Sequence, residues 1–238
     1  MSKIKGLVIF IQVGISIILV VGTYLIMNYY KEQETLALVE KNKRLTEKNE
    51  QLQAKSDYLL TETEGSKKTK EFKTWSKHTK LANVFYEDSD QEFKKSWALY
   101  LIKQSAQYGV DPYVVYELLK VETGGTFDPK LVGPDTEYGK AYGMAQFMKN
   151  TAPWIAEMAG LPYKDELLFD PYYSMQLSVV YLDYLHNKYD NWDKALTAYH
   201  RGVGGLNDYI EENGHAESWY AKEIQSKAEA YETIALAN

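Results

Sequence analysis

Asp111-Pro112-Tyr113-Val114-Val115-Tyr116-Glu117-Leu118-Leu119-Lys120-Val121-Glu122-Thr123-Gly124-Gly125 is the stretch on which the fold of this 238-residue chain turns. Asp before Pro is a helix start: the Asp side chain caps free amides, and Pro occupies the first helical position, where no amide is needed. The Gly pair predicts the stop. Between them, Val115, Leu118, Leu119 and Glu122 fall at i, i+3, i+4 and i+7, one apolar stripe ending in a carboxylate. Glu117 and Lys120 are expected on other faces. An acid at the end of such a stripe has its pKa raised by desolvation and by the negative end of the helix dipole. Glu122 is therefore a candidate proton donor near neutrality; a Glu bonded to backbone, or a boundary residue facing water, fits the same position.

Outward from this helix the pattern stays helical. Ser89 and Glu92 have capping-box spacing and predict a helix running to Gly109, with Phe93, Trp97, Tyr100, Leu101 and Ala106 on its apolar face. Further helices are expected from Asn150 to Gly160, from Asp170-Pro171 to about Tyr189, from Asn191 to about His200, and from Glu217 to Ala235. Residues 126–142 carry three Gly or Pro breaks and read as an irregular segment long enough to line a site. Strand signals are poor. The fold class is mainly α, with a domain over 89–238.

Upstream, residues 6–27 contain no charged residue. Twenty-two residues at 1.5 Å rise span roughly 33 Å, enough for a bilayer core. The expected organisation is a short cytoplasmic tail and transmembrane anchor over 1–30, a helical stalk over 31–60 and a linker over 61–88. A cleaved signal peptide fits less well: the run is too long and no small-x-small site follows it. Lys3 and Lys5 precede the span, but Lys31, Lys41, Lys43, Arg44 and Lys48 follow it, so flanking charge does not set the orientation. In the stalk, Leu38, Leu45, Leu52 and Leu59 recur every seven residues, with Thr35, Asn42, Asn49 and Ser56 at the companion positions. A homodimeric coiled coil and a solvated single helix both fit. Residues 61–80, rich in Lys, Thr and Glu, read as a linker or loosely attached helix.

Composition narrows the function. A formal net charge of −6 argues against nucleic acid. Cysteine is absent, which excludes disulfides, thiolate metal sites and a Cys nucleophile. His78, His186, His200 and His215 are scattered, so no metal site is expected, and no cofactor is called for. Twenty-one tyrosines suit either a carbohydrate groove or an amphipathic core.

Three segments, in order, resemble the motifs of the SLT-type lytic transglycosylases, within the lysozyme-like superfamily. Tyr108–Pro112 through Val121–Gly125 is similar to the motif whose helix ends in the catalytic Glu. Ala141-Tyr142-Gly143-Met144-Ala145-Gln146-Phe147-Met148, with Thr151-Ala152, resembles the Gly-Leu-Met-Gln motif. Ala195-Leu196-Thr197-Ala198-Tyr199-His200-Arg201-Gly202 resembles the Ala-Tyr-Asn-Ala-Gly motif. Thr123 stands for the usual Ser, Met144-Ala145 for Leu-Met and His200 for Asn. Together they cover about 91–210.

The resemblance implies a lysozyme-like helical domain that cleaves peptidoglycan strands outside the membrane. Glu122 would be the catalytic acid, with Thr123, Met144, Gln146, Tyr199 and His200 toward the substrate. Glu122 would protonate the oxygen linking N-acetylmuramic acid to N-acetylglucosamine, and its carboxylate would then take the proton from the 6-hydroxyl, giving a 1,6-anhydro end. Two rivals stay open. A goose-lysozyme-like muramidase would need a second carboxylate, for which Asp128, Asp135 and Glu137 are candidates. A wall-binding or assembly component would need no chemistry.

Overall fold

The computed structural model describes residues 22–23, 25–46, 48–49, 52 and 68–237. It falls into two units, Met1–Leu52 and Gln53–Asn238. In the first, the described residues are helical. Leu38, Leu45 and Leu52 are 53%, 48% and 55% exposed. Thr35 Oγ1 donates to the Lys31 carbonyl at 2.7 Å, and Arg44 pairs with Glu40 one turn away. The expected span over 6–27 lies mostly outside the described residues, as does Leu59. Among the described residues no helix is long and apolar enough to cross a membrane.

The second unit is mainly α. Its helices are α1 (Lys68–Asp88), α2 (Lys95–Tyr108), α3 (Pro112–Glu122), α4 (Ala152–Met158), α5 (Pro171–Tyr189), α6 (Trp192–Asn213) and α7 (Trp219–Ala237). A 3₁₀ turn covers Asp165–Phe169, and a two-residue antiparallel pair joins β1 (Ala141–Tyr142) to β2 (Phe147–Met148).

α1 occupies part of the stretch expected as a linker, and it is packed. Ala82 and Phe85 are buried, and Phe85 stacks on Tyr116 of α3 at 4.3 Å. The helix is polar overall, so its few apolar residues carry the docking; a composition reading averages them away. The capping box also works differently from its pattern. Ser89 Oγ accepts the Phe93 amide at 2.9 Å, and α2 begins only at Lys95, with Lys94 at its N-cap making no side-chain cap bond. Asp90 and Gln91 take left-handed φ values of 50° and 73°, so Ser89 holds the α1–α2 turn rather than the helix start.

α3 forms as expected. Asp111 accepts the Tyr113 amide at 2.8 Å, and Gly124 and Gly125 leave the helix at φ 59° and 81°. Its surroundings differ from the one-stripe expectation. Every residue from Val114 to Leu119 is buried, Glu117 included, because α3 is a central helix contacting α2, α5 and α7. A helix enclosed on several sides has no single apolar face.

Downstream, Asp170 caps α5 through the Tyr173 amide at 2.9 Å. α6 runs past the expected end at His200. Gly202 breaks it with φ 75° and ψ 166°, and helix resumes after that one residue. The glycine-rich run 202–205 thus makes a kink where the sequence suggested a stop.

Candidate active site

Four elements converge on the end of α3. Glu122 is its last residue, and α7 approaches so that Tyr220 Oη donates to Glu122 Oε1 at 2.6 Å. α6 supplies Tyr199, and the hairpin loop supplies the Ala145 carbonyl, to which Tyr199 Oη donates at 3.1 Å. Ser178 Oγ of α5 lies 3.3 Å from the same phenol oxygen. The start of α7 is fixed to α6 by Thr197, whose Oγ1 donates to the Ala216 carbonyl at 2.7 Å and lies 2.8 Å from Ser218 Oγ. Ser218 Oγ in turn accepts the Ala221 amide at 3.2 Å, so Tyr220 is held within a capped, anchored first turn.

Electrostatics follow from this enclosure. Burial pushes the Glu122 carboxyl up to about 7, and the Tyr220 hydrogen bond to its charged form pulls back against that rise. Among the described residues, no carboxylate or cation contributes to the shift. Burial, followed by the nearby Glu122 charge, drives the Tyr199 and Tyr220 phenols well above their ordinary value. Both therefore stay protonated as donors at any working pH. Glu122 itself keeps a partly exposed surface. A carboxyl half protonated near pH 7, open on one side and held by a neutral donor, can both give and take a proton.

The hairpin is shaped by Gly143. At φ 73° a Cβ there would meet the Leu168 carbonyl oxygen at 1.8 Å, so only glycine lets the loop lie against the 3₁₀ turn. Among the described residues, no group of three or more His, Asp or Glu side chains is placed to hold a metal ion.

The transglycosylase SLT domain model matches residues 99–222, just over half the chain. The chain belongs to the SLT transglycosylase domain family. Among solved structures it is similar to the lytic transglycosylase Slt of Pseudomonas aeruginosa, determined as an inactive mutant. That match has 17% identity and a TM-score of 0.49, and covers 66% of this chain and 30% of that one. It is also similar to the 70 kDa soluble lytic transglycosylase of Escherichia coli, at 15% identity and a TM-score of 0.49, covering 65% of this chain and 30% of that one. The match thus spans under a third of either protein. No curated protein matches the sequence.

Within this SLT domain the expected site residues divide. Glu122 and Tyr199 are brought together, since the charge of the first acts on the phenol of the second. Thr123 is buried and its hydroxyl is committed: Oγ1 donates to the Leu119 carbonyl at 2.7 Å and accepts the Phe127 amide at 3.0 Å. It locks the turn after the acid. Met144 is fully buried, so its side chain is core and only its backbone is left for a ligand. Gln146, at φ 48°, turns its Nε2 back to donate to the Gly143 carbonyl at 2.8 Å. His200 is exposed and lies flat on the Tyr220 ring at 4.6 Å. Burial of that imidazole face, then the Arg201 charge, hold it below its ordinary value.

Tyr220 is the residue that sequence reasoning missed. It lies outside the three motifs and has no distinguishing local spacing. Its role depends on how α7 returns to α3, which periodicity does not encode.

Proposed function

We propose that this SLT domain is a peptidoglycan lytic transglycosylase with Glu122 as its single acid and base. The observation that carries the reading is the Glu122 carboxyl, raised by burial to about 7 and gripped by a neutral phenol donor. Protonated, Glu122 gives its proton to the glycosidic oxygen between N-acetylmuramic acid and N-acetylglucosamine, and the bond breaks. The muramic N-acetyl group assists from within the substrate. The resulting carboxylate then accepts the proton of the 6-hydroxyl as that oxygen closes on the anomeric carbon. One carboxylate serves both steps, and water is not consumed.

Tyr220 steadies Glu122 in each protonation state, since a phenol oxygen also accepts from the protonated acid. Tyr199 fixes the hairpin carbonyl beside it. Gln146 and the Met144 backbone hold the loop that faces the sugar, Thr123 positions the acid through the turn behind it, and His200 offers ring nitrogens to hydroxyls. The hydrolytic alternative needs a second carboxylate across the cleaved bond, roughly 6.5–9.5 Å away, to activate a water. Asp128 is exposed and caps the Lys130 amide at 2.8 Å, and Asp135 and Glu137 are exposed loop residues. None of them contributes to the Glu122 shift.

Residues 6–27 anchor the chain in this reading, with residues 31–60 as a stalk and the SLT domain on the wall side. Exposed Leu38, Leu45 and Leu52 are available to a second copy of the stalk. Cross-linking of a Leu45→Cys variant tests that pairing; no dimer band would dismiss it.

The central test is mass analysis of fragments released from sacculi by the full chain. Anhydro-muramic ends, one water lighter than reducing ends, are expected. Reducing ends would replace the transglycosylase by a muramidase, and binding without release would leave a wall-binding component.

A further inference from the structure

We propose that Trp219, together with the His200 ring, forms an aromatic platform that takes an N-acetylhexosamine ring of the glycan strand next to the bond acted on by Glu122. This deepens the reading above and rests on it.

Trp219 opens α7 and is 56% exposed. It is not an isolated apolar side chain. Its ring meets His200 edge-on at 5.5 Å and Tyr220 edge-on at 5.7 Å, while His200 lies parallel to Tyr220 at 4.6 Å and 5°. The three rings make one braced cluster, and its innermost member is the phenol bonded to Glu122 at 2.6 Å. An exposed indole is thus fixed one side chain away from the catalytic carboxyl.

Two features suit the cluster to sugar. A pyranose presents a face of C–H groups, weakly polarised and apolar, and a rigid indole covers such a face with little loss of side-chain entropy. The rim of the same sugar carries hydroxyls and an acetamide. A neutral imidazole donates from one nitrogen and accepts at the other, and His200 stays neutral near pH 7 because its value is lowered. An indole beside an imidazole therefore answers both surfaces of the ring. The anchoring of Thr197 to Ala216 and Ser218 fixes where α7 starts, so the platform is set before substrate arrives.

The test separates binding from cutting. The N-acetylglucosamine tetramer is titrated calorimetrically into the full chain carrying Glu122→Gln, alone and combined with Trp219→Ala or Trp219→Phe. Trp219→Ala is expected to weaken binding about tenfold or more, and Trp219→Phe to stay within about threefold. With Glu122 intact, Trp219→Ala should raise KM for glycan strands by a similar factor and leave kcat within about twofold. Unchanged affinity and KM in Trp219→Ala overturn the platform even while the parent chain cuts strands. Equal losses in the Ala and Phe variants, with a lowered Tm in both, overturn it in favour of a structural role. No measurable binding of the tetramer by the Glu122→Gln chain also overturns it. If the tetramer binds in a Trp219-dependent way but the parent chain releases no fragments, the platform stands and the catalytic reading falls.

Discussion

Glu117 and Glu122 sit five residues apart on α3, and each accepts a hydrogen bond from a tyrosine of α7. Tyr231 Oη reaches Glu117 Oε1 at 2.9 Å, and Tyr220 Oη reaches Glu122 Oε1 at 2.6 Å. Burial raises both carboxyls. What separates them is access and company. Glu117 is wholly enclosed, with Lys120 Nζ at 3.8 Å and the Lys227 charge acting against the rise. Lys120 is shared with Asp88 at 2.6 Å, and Asp88 also accepts the Tyr116 phenol at 2.7 Å, so this network ties α1, α3 and α7 together. Glu122 has no cation in its shift and keeps an open side. Enclosure with cations ties helices together; enclosure with an opening and a neutral donor leaves a carboxyl raised and reachable.

The sharpest way to break that contrast is Glu122→Gln. Its amide cannot supply a proton, so strand cleavage should fall by about 10²–10⁴-fold or more. In the parent chain kcat/KM should decline about tenfold per unit above pH 7, as the acid form empties. Muropeptide release across pH 5–9 checks both. Near-normal turnover by Glu122→Gln would remove the residue from the chemistry. Glu117→Gln keeps the Tyr231 bond and should cut strands within about twofold of the parent.

Removing the enclosed acid should act on stability instead. Glu117→Ala opens a cavity and removes one of the acceptors of the Tyr231 phenol, at a cost of about 2–4 kcal/mol in urea unfolding. Turnover measured well below the midpoint should be retained. An unchanged midpoint would show that the joint contributes nothing.

Linkage gives a subtler contrast. The folded-state value of Glu122, about 7, exceeds its ordinary 4.5. The native state therefore binds more protons between those values, and its stability falls as pH rises from about 4.5 to about 7. Glu122→Gln carries no such penalty. At pH 8 it should be more stable than the parent by on the order of 3 kcal/mol, and at pH 4 the two should agree. Equal stability at both pH values would mean that the carboxyl is not held in a dry site.

Helix existence and the placing of an acid at the end of α3 were legible because they depend on local chemistry. The Asp-Pro caps of α3 and α5 and the Gly pair after Glu122 set chain direction within one turn, and the structure places them as their residues require. The single apolar stripe read along α3 is one part of a helix buried on several sides. It set Glu117 apart as a residue of another face, yet α3 is enclosed nearly all round. Three-dimensional enclosure, the partner Tyr220, the committed hydroxyl of Thr123 and the docking of α1 all depend on which helices meet. A polar helix such as α1 reveals its few anchoring residues only against the surface it covers.

The smallest expected effect asks whether the two acids are independent. Tyr220 and Tyr231 are eleven residues apart, three turns, so they share one face of α7. Tyr231→Phe removes the phenol's bonds to Glu117 and Asp88 and keeps the ring stacked on Tyr113 at 5.2 Å. Loss of the Tyr231 hydroxyl from this network should lower stability by about 1–2 kcal/mol. Because the capped first turn of α7 is anchored separately through Thr197 and Ser218, kcat should stay within about twofold and the alkaline limb should not move. If kcat fell well beyond that with KM unchanged, the helix would be transmitting strain from the joint to the acid. The two glutamates would then be ends of one lever rather than neighbours with separate tasks.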